Sequence, residues 1–277
     1  MRLIIKNIFI KTSTFLKLDT KIAEMNTLNA IQKIRLIIIL CYAFVMVQCS
    51  TSSIQSGCNS LNSIDIGFNS CLIYENKPFL IELTNEIEDK VRTALILINK
   101  KMPIDDLTIL IRSSGGNVIP EIGIGGFNPN KHEIIISVNT SFPHIRKSIE
   151  EELISQIAHE AHHAKRRRSV GYGNSLLEAL ISEGLADHFS IEAWEQDIPL
   201  WSSVLDPQAL SEWINISKEF WYDQDYNHNN WFFGEDPGIP RWAGYSIGFE
   251  LVKRYLDKNP SATAATIFNL EASAFIE

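Results

Sequence analysis

Apolar residues recur at helical spacing between residues 79 and 99, where Leu80, Leu83, Ile87, Val91, Ala94, Leu95 and Ile98 share one face. Pro103 follows and closes that pattern. The period then changes. LTILIR at 107–112 and the isoleucine-rich HEIIISV at 132–138 read as strands, with Gly115-Gly116 and GIGGFNPN (123–130) as turns between them. Two helices are expected at about 146–167 and 175–194. Residues 199–240 are aromatic and broken by proline, a helix follows at about 243–257, and a last short one lies near 261–275. No internal repeat is present. A helix, two or more strands and then helices predict an α+β domain with segregated elements, its small sheet mixed or antiparallel and its C-terminal part helical.

The N-terminal pattern is of another kind. Lys33-Ile34-Arg35 precedes the apolar run LIIILCYAFVMV (36–47), as the basic and apolar regions of a secretory signal would. The run is short for a membrane span. It ends at Cys49, which resembles the lipidated cysteine of bacterial lipoproteins, although Gln48 stands where that pattern wants a small residue. Met25 would give a more usual start for such a signal. The competing reading is an apolar helix packed within the fold. The division expected is a signal with an extension over 1–49, a polar linker over 50–75, and a folded domain over 76–277. The protein is then exported, periplasmic or anchored to the membrane by lipid at Cys49.

Charge sharpens this picture. The chain of 277 residues carries a net charge of −8. Seven Lys/Arg against two Asp/Glu precede Cys49, which leaves 18 against 31 in the remainder. A domain that acidic is a poor partner for a nucleic-acid backbone. The one basic run, Lys165-Arg166-Arg167-Arg168, suits the end of a helix, where cations complement the dipole. Of four cysteines, Cys58 and Cys71 either pair after export or remain two thiols; spacing does not decide.

The chemistry is concentrated in the two central helices. His159, Glu160, Ala161, His162 and His163 form a His-Glu-x-x-His motif. Residues four apart on a helix share a face, so His159 and His163 can hold one ion. Leu153, Ile154, Ile157, Ala161 and Ala164 occupy the opposite side and can pack into a core. Ser175-Leu-Leu-Glu178 resembles a capping box that starts the next helix. Glu183, twenty residues after His163, would return over the histidine pair in a helical hairpin and supply a third ligand, leaving a position open for water. Asp187 falls one turn further, where it can accept the outer N–H of His159 and fix the ring. Gly184 beside the ligand suggests close approach of another helix.

With these residues in view, the chain resembles the gluzincin peptidases of the thermolysin-like clan. HEAHH, ISEGLADHF (181–189) and PRWAGYSIGFELV (240–252) resemble, more narrowly, the YjaZ-like predicted zinc-dependent proteases, over roughly 79–277. The resemblance implies a zincin-like fold, one zinc at His159, His163 and Glu183, and Glu160 as general base. It also implies an edge strand that pairs with a peptide, with HEIIISV or GIGGF as the candidate. Tyr245 is the first choice for an oxyanion donor and Tyr172 the second. For Tyr245 the alternative is a core aromatic stacked on Phe249. His188 is a candidate for the cleft, His162 for a supporting role, and His132, His144 and His228 for surface or loop positions, with a catalytic histidine donor among them as the alternative. The expected activity is peptide-bond hydrolysis by a metal-activated water, on a peptide or protein substrate. The rival is a non-catalytic extracytoplasmic binding protein or lipoprotein on the same scaffold.

Overall fold

A computed structural model of the protein describes residues 63–75 and 77–277. All of them fall in one compact unit, Ser56–Glu277. The signal, the lipidation site at Cys49 and residues 50–62 of the linker lie outside the described residues.

Five strands form one mixed sheet: β1 (Ser63–Gly67), β2 (Ser70–Glu75), β3 (Thr108–Ser113), β4 (Ile124–Phe127) and β5 (Glu133–Val138). Their order is β1-β2-β3-β5-β4. The outer pairs are antiparallel, whereas β2–β3 and β3–β5 are parallel. The parallel step from β2 to β3 is made by helix α1 (Thr84–Lys101), which buries Ile87, Val91, Ala94, Leu95 and Ile98. The linker expectation is therefore corrected over residues 63–75: SIDIG and SCLIYE are strands of the sheet. Their polar Ser and Asp positions conceal short half-buried strands, of which Leu72 is wholly enclosed. Cys71 is buried in β2.

Ile109 and Ile111 on β3, Ile134 and Ile136 on β5, and Ile124 on β4 are buried in the main core. The expected helix at 146–167 is two pieces, α2 (Ile145–Glu151) and α3 (Leu153–Arg167), separated at Glu152. Helix α4 (Leu176–Ala193) starts at Ser175 with the capping box in place: Glu178 donates its backbone N–H to the Ser175 hydroxyl and accepts the Ser175 N–H at 2.9 Å. It is buried on nearly every side, as a helix apolar all round should be. The aromatic segment contains α5 (Pro207–Ser217) and α6 (His228–Phe233), and α7 (Ala243–Lys258) follows. Of the helix expected near 261–275, only a 3-10 turn at Ala272–Phe275 forms.

The basic run does close a helix, and it also fastens that helix to its neighbours. Arg166 donates to Ser182 Oγ and to the carbonyls of Phe268 and Leu270, Arg167 to Asn128 Oδ1, and Lys165 to the carbonyl of Pro103.

Candidate metal centre

Helices α3 and α4 lie side by side, joined by the turn 168–175, so the inner face of each meets the other. His159 Nε2 and His163 Nε2 come within 2.9 Å. Glu183 Oε2 is 3.1 Å from His159 Nε2, and Glu183 Oε1 is 3.3 Å from His163 Nε2. All three side chains are buried.

The surroundings fix these groups. Asp187 is fully buried and accepts His159 Nδ1–H at 2.8 Å, which leaves Nε2 of a neutral ring as a lone pair aimed at the cluster. Asp187 also accepts the indole N–H of Trp201 at 3.1 Å and the hydroxyl of Ser202. The Tyr172 hydroxyl donates to Glu183 Oε1 at 2.6 Å. Burial is the largest influence on His159 and disfavours its cation, but Asp187 and Glu183 outweigh it and hold the imidazole well above its ordinary value. Burial likewise opposes ionisation of Glu183, yet the two histidines take its carboxyl well below the usual range. Electrostatics that favour a proton here also favour a cation.

The donor set fits zinc. Two imidazole nitrogens and one carboxylate are a usual ligand set for a catalytic zinc, and ligands at ~2.1 Å from a tetrahedral ion stand about 3.4 Å apart. The observed separations of 2.9 to 3.3 Å are close to that. These three residues form the one cluster of this kind among the described residues.

Glu160 is buried beside the cluster, and among the described residues its carboxylate accepts no hydrogen bond. Burial pushes its carboxyl up, against the lowering effect of His159 and His163. It sits against the edge strand: a side-chain carbon at Gly126 would collide with its carboxylate. His159 and Glu160 open into a cleft of about 660 Å³, lined also by Gly125, Gly126, Trp201 and Tyr245. The GIGGF stretch, expected as a turn and also offered as a candidate edge strand, forms β4 at the edge of the sheet. HEIIISV lies inside the sheet as β5.

Tyr245 lines this cleft, and its ring packs edge-on against Phe232 and Trp201. It does not stack on Phe249; that ring stacks on His188, whose Nε2–H donates to the Phe249 carbonyl at 3.0 Å. His188 is thus held away from the cleft lining. His162 is fully buried and bonds the Ala264 carbonyl through Nε2. His132 pairs with Asp106 at the surface, and His144 precedes α2. His228 departs from expectation: it starts α6, half-buried, with its ring 6.4 Å from that of Tyr172. Trp201, Ser202 and Tyr172 were not read as supports of the cluster, because no spacing rule links a loop residue to a helix it meets only in space.

A family model described as "Predicted Zn-dependent protease (DUF2268)" matches residues 83–277. No curated protein and no solved structure matches the chain.

Proposed function

The chain belongs to this family of predicted Zn-dependent proteases, and we propose that it is a peptidase of gluzincin type with zinc held by His159, His163 and Glu183. The observation that carries this reading is the convergence of three buried donors beside a buried acid that faces an open cleft. Zinc bound there would polarise a peptide carbonyl and lower the pKa of a water toward ~7.

Glu160 is the general base. Its carboxyl, raised by burial, is a stronger base than an exposed glutamate, and it is placed to take a proton from the attacking water and return it to the leaving amine. Asp187 holds His159 in the tautomer that directs Nε2 at the ion. The Tyr245 hydroxyl, among whose contacts no hydrogen bond forms with the described residues, donates to the developing oxyanion. Tyr172 is engaged with Glu183 and orients that ligand instead. A purely structural site needs no acid such as Glu160 and is usually closed by a fourth protein ligand. The test is metal analysis of purified protein beside a digest of a broad peptide library. About one zinc per chain together with cleavage supports the reading. Full zinc occupancy without cleavage of any peptide would favour a binding protein.

A further inference from the structure

The cleft is closed at one end of the edge strand. Backbone groups of a strand point alternately to its two sides, so Ile124 and Gly126 present theirs along the same border of β4. At Ile124 that border is occupied: its carbonyl accepts the Ile119 N–H at 2.9 Å. At Gly126, beside Glu160, no backbone group from outside the sheet pairs with it among the described residues. Ile119 belongs to the turn 117–123, whose Asn117 and Val118 backbone fills the space over Gly125 on the other face of the sheet. Glu121 in this turn accepts from Arg241 at 2.8 and 3.2 Å, which ties the turn to the loop entering α7, whose Trp242 and Tyr245 also line the cleft. Ile119 and Trp201 line both the cleft and a second hollow of about 290 Å³, so they stand as the partition between the two. A peptide paired at Gly126 has ~7 Å toward Ile124, room for about two residues.

Helix α3 forms the floor under that end. It runs in the same direction as β4: Arg167 near its C-terminus donates to Asn128 Oδ1 just past the strand, and Glu160 stands against Gly126. The turn before Glu160 therefore lies toward Ile124, and it carries Gln156 on the same face. Gln156 lines the cleft, is 4% exposed, and makes no side-chain hydrogen bond among the described residues. A polar group buried to that degree is costly unless a ligand supplies its partner. One turn further back, Glu152 lines the second hollow together with Asp197. Neither carboxylate forms an ion pair among the described residues, whereas the neighbouring Glu151 is held by Lys147 at 3.7 Å. Of the two arginines that line the cleft, Arg241 is neutralised by Glu121, and Arg112 lies in the row through Ser137 and Gly125, on the other face of the sheet from Gly126. The closed end thus offers an amide oxygen backed by unpaired negative charge, which suits an ammonium group.

We infer that the cleft takes the free N-terminus of a peptide, with its α-ammonium group held by Gln156 at the closed end. Water adds across a C–N bond no more than about two residues from that terminus, which leaves a carboxylate on the released piece and an amine on the remainder. The inference rests on the peptidase reading and names its substrate class.

The test uses the zinc-loaded full chain and a set of C-terminally amidated peptides that differ in their first residues. Each peptide is made with a free and with an acetylated N-terminus, and mass spectrometry reads the products. Wild type should release one amino acid or a dipeptide from the N-terminus, within the room of about two residues. Acetylation should lower kcat/KM by at least about tenfold, the lower end for a charged hydrogen bond. Gln156→Met keeps most of the side-chain volume and removes the amide; it should bring the ratio of free to acetylated peptide to about one, chiefly through KM. Gln156→Glu should keep the preference, and both variants should melt near wild type. Fluorescence anisotropy of the same peptides on zinc-loaded Glu160→Gln protein gives binding without turnover. Cleavage in the interior of acetylated peptides at an undiminished rate, or a preference for the free amine that survives Gln156→Met, overturns the inference and leaves the peptidase reading intact. Amine-dependent binding that needs Gln156, with no cleavage by wild type, overturns the peptidase reading alone. Neither binding nor cleavage overturns both.

Discussion

Gly184 and Gly248 meet at the crossing of α4 and α7, so closely that a side-chain carbon on Gly184 would enter the carbonyl of Gly248. A carbon on Gly248 would enter the carbonyl of Leu180 in turn. Glu183 precedes one glycine directly and Tyr245 lies three residues before the other, so this contact sets the distance between the two walls that carry them. Gly184→Ala and Gly248→Ala should each cost roughly 1–3 kcal/mol, because backbone rather than a flexible side chain must yield. Thermal denaturation should show a fall of roughly 2–4 °C per kcal/mol for a domain of this size. Unchanged melting for both variants would mean that the helices are not packed in this way.

The metal assignment predicts that purified protein contains about one zinc per chain. His159→Ala, His163→Ala and Glu183→Ala should each abolish that occupancy by elemental analysis. Chelation should also lower the melting temperature, since an ion bound only by the folded state stabilises it by mass action. Full zinc retained in all three variants would sink the assignment.

Glu160→Gln separates binding from chemistry. It should leave zinc near normal, because this side chain lies beside the donors rather than among them, while hydrolysis falls by at least ~10²-fold. Tyr245→Phe should keep zinc and reduce turnover, with the larger effect in kcat. An active Glu160→Gln enzyme would rule out the mechanism proposed here.

Asp187→Asn replaces a carboxylate that accepts from three donor groups by one that must present an amide to some of them. Zinc affinity should drop by about 10–100-fold, the usual effect of losing a ligand's orienting partner. Competition against a graded chelator measures it. Wild-type affinity in the variant would show that His159 needs no such support.

The long helices α1, α3, α4 and α7 were legible because their apolar positions repeat over many residues, whereas α5 and α6 lie hidden in the proline-broken aromatic segment; the site was legible because most of it lies on α3 and α4. His159, His163, Glu183 and Asp187 are related by helical spacing and one hairpin, and α4 announces its start through Ser175 and Glu178. What spacing does not reveal is contact between distant segments. Trp201 and Ser202 reach Asp187 from a 3-10 turn, Leu200–Ser202, that carries no sequence period. The strands β1 and β2 escape notice for a different reason: five or six residues beside a Ser/Asn-rich stretch carry too little period to be told from a linker.

Residues 33–49 carry an expectation that rests on sequence alone. If Lys33–Val47 is an export signal, protein recovered from a bacterial host should be extracytoplasmic and begin after that segment. N-terminal sequencing and lipid-sensitive mass spectrometry would decide, the latter reading whether Cys49 carries acyl chains. An intact N-terminus on cytoplasmic protein would reject both the signal and the anchor.

The contact between Gly126 and Glu160 has a chemical corollary for recognition. Where the acid stands, the strand edge is bare of side chains at both Gly125 and Gly126, so an extended peptide laid along it meets amide N–H and carbonyl groups. Those groups are common to every peptide, and pairing with them conveys position but no identity. Whatever selectivity the cleft exercises is therefore displaced from its centre to its ends, to exposed rings such as Phe127 and Phe233. Residues there can change and redirect the proposed peptidase to new sequences while His159, Glu160, His163 and Glu183 stay untouched.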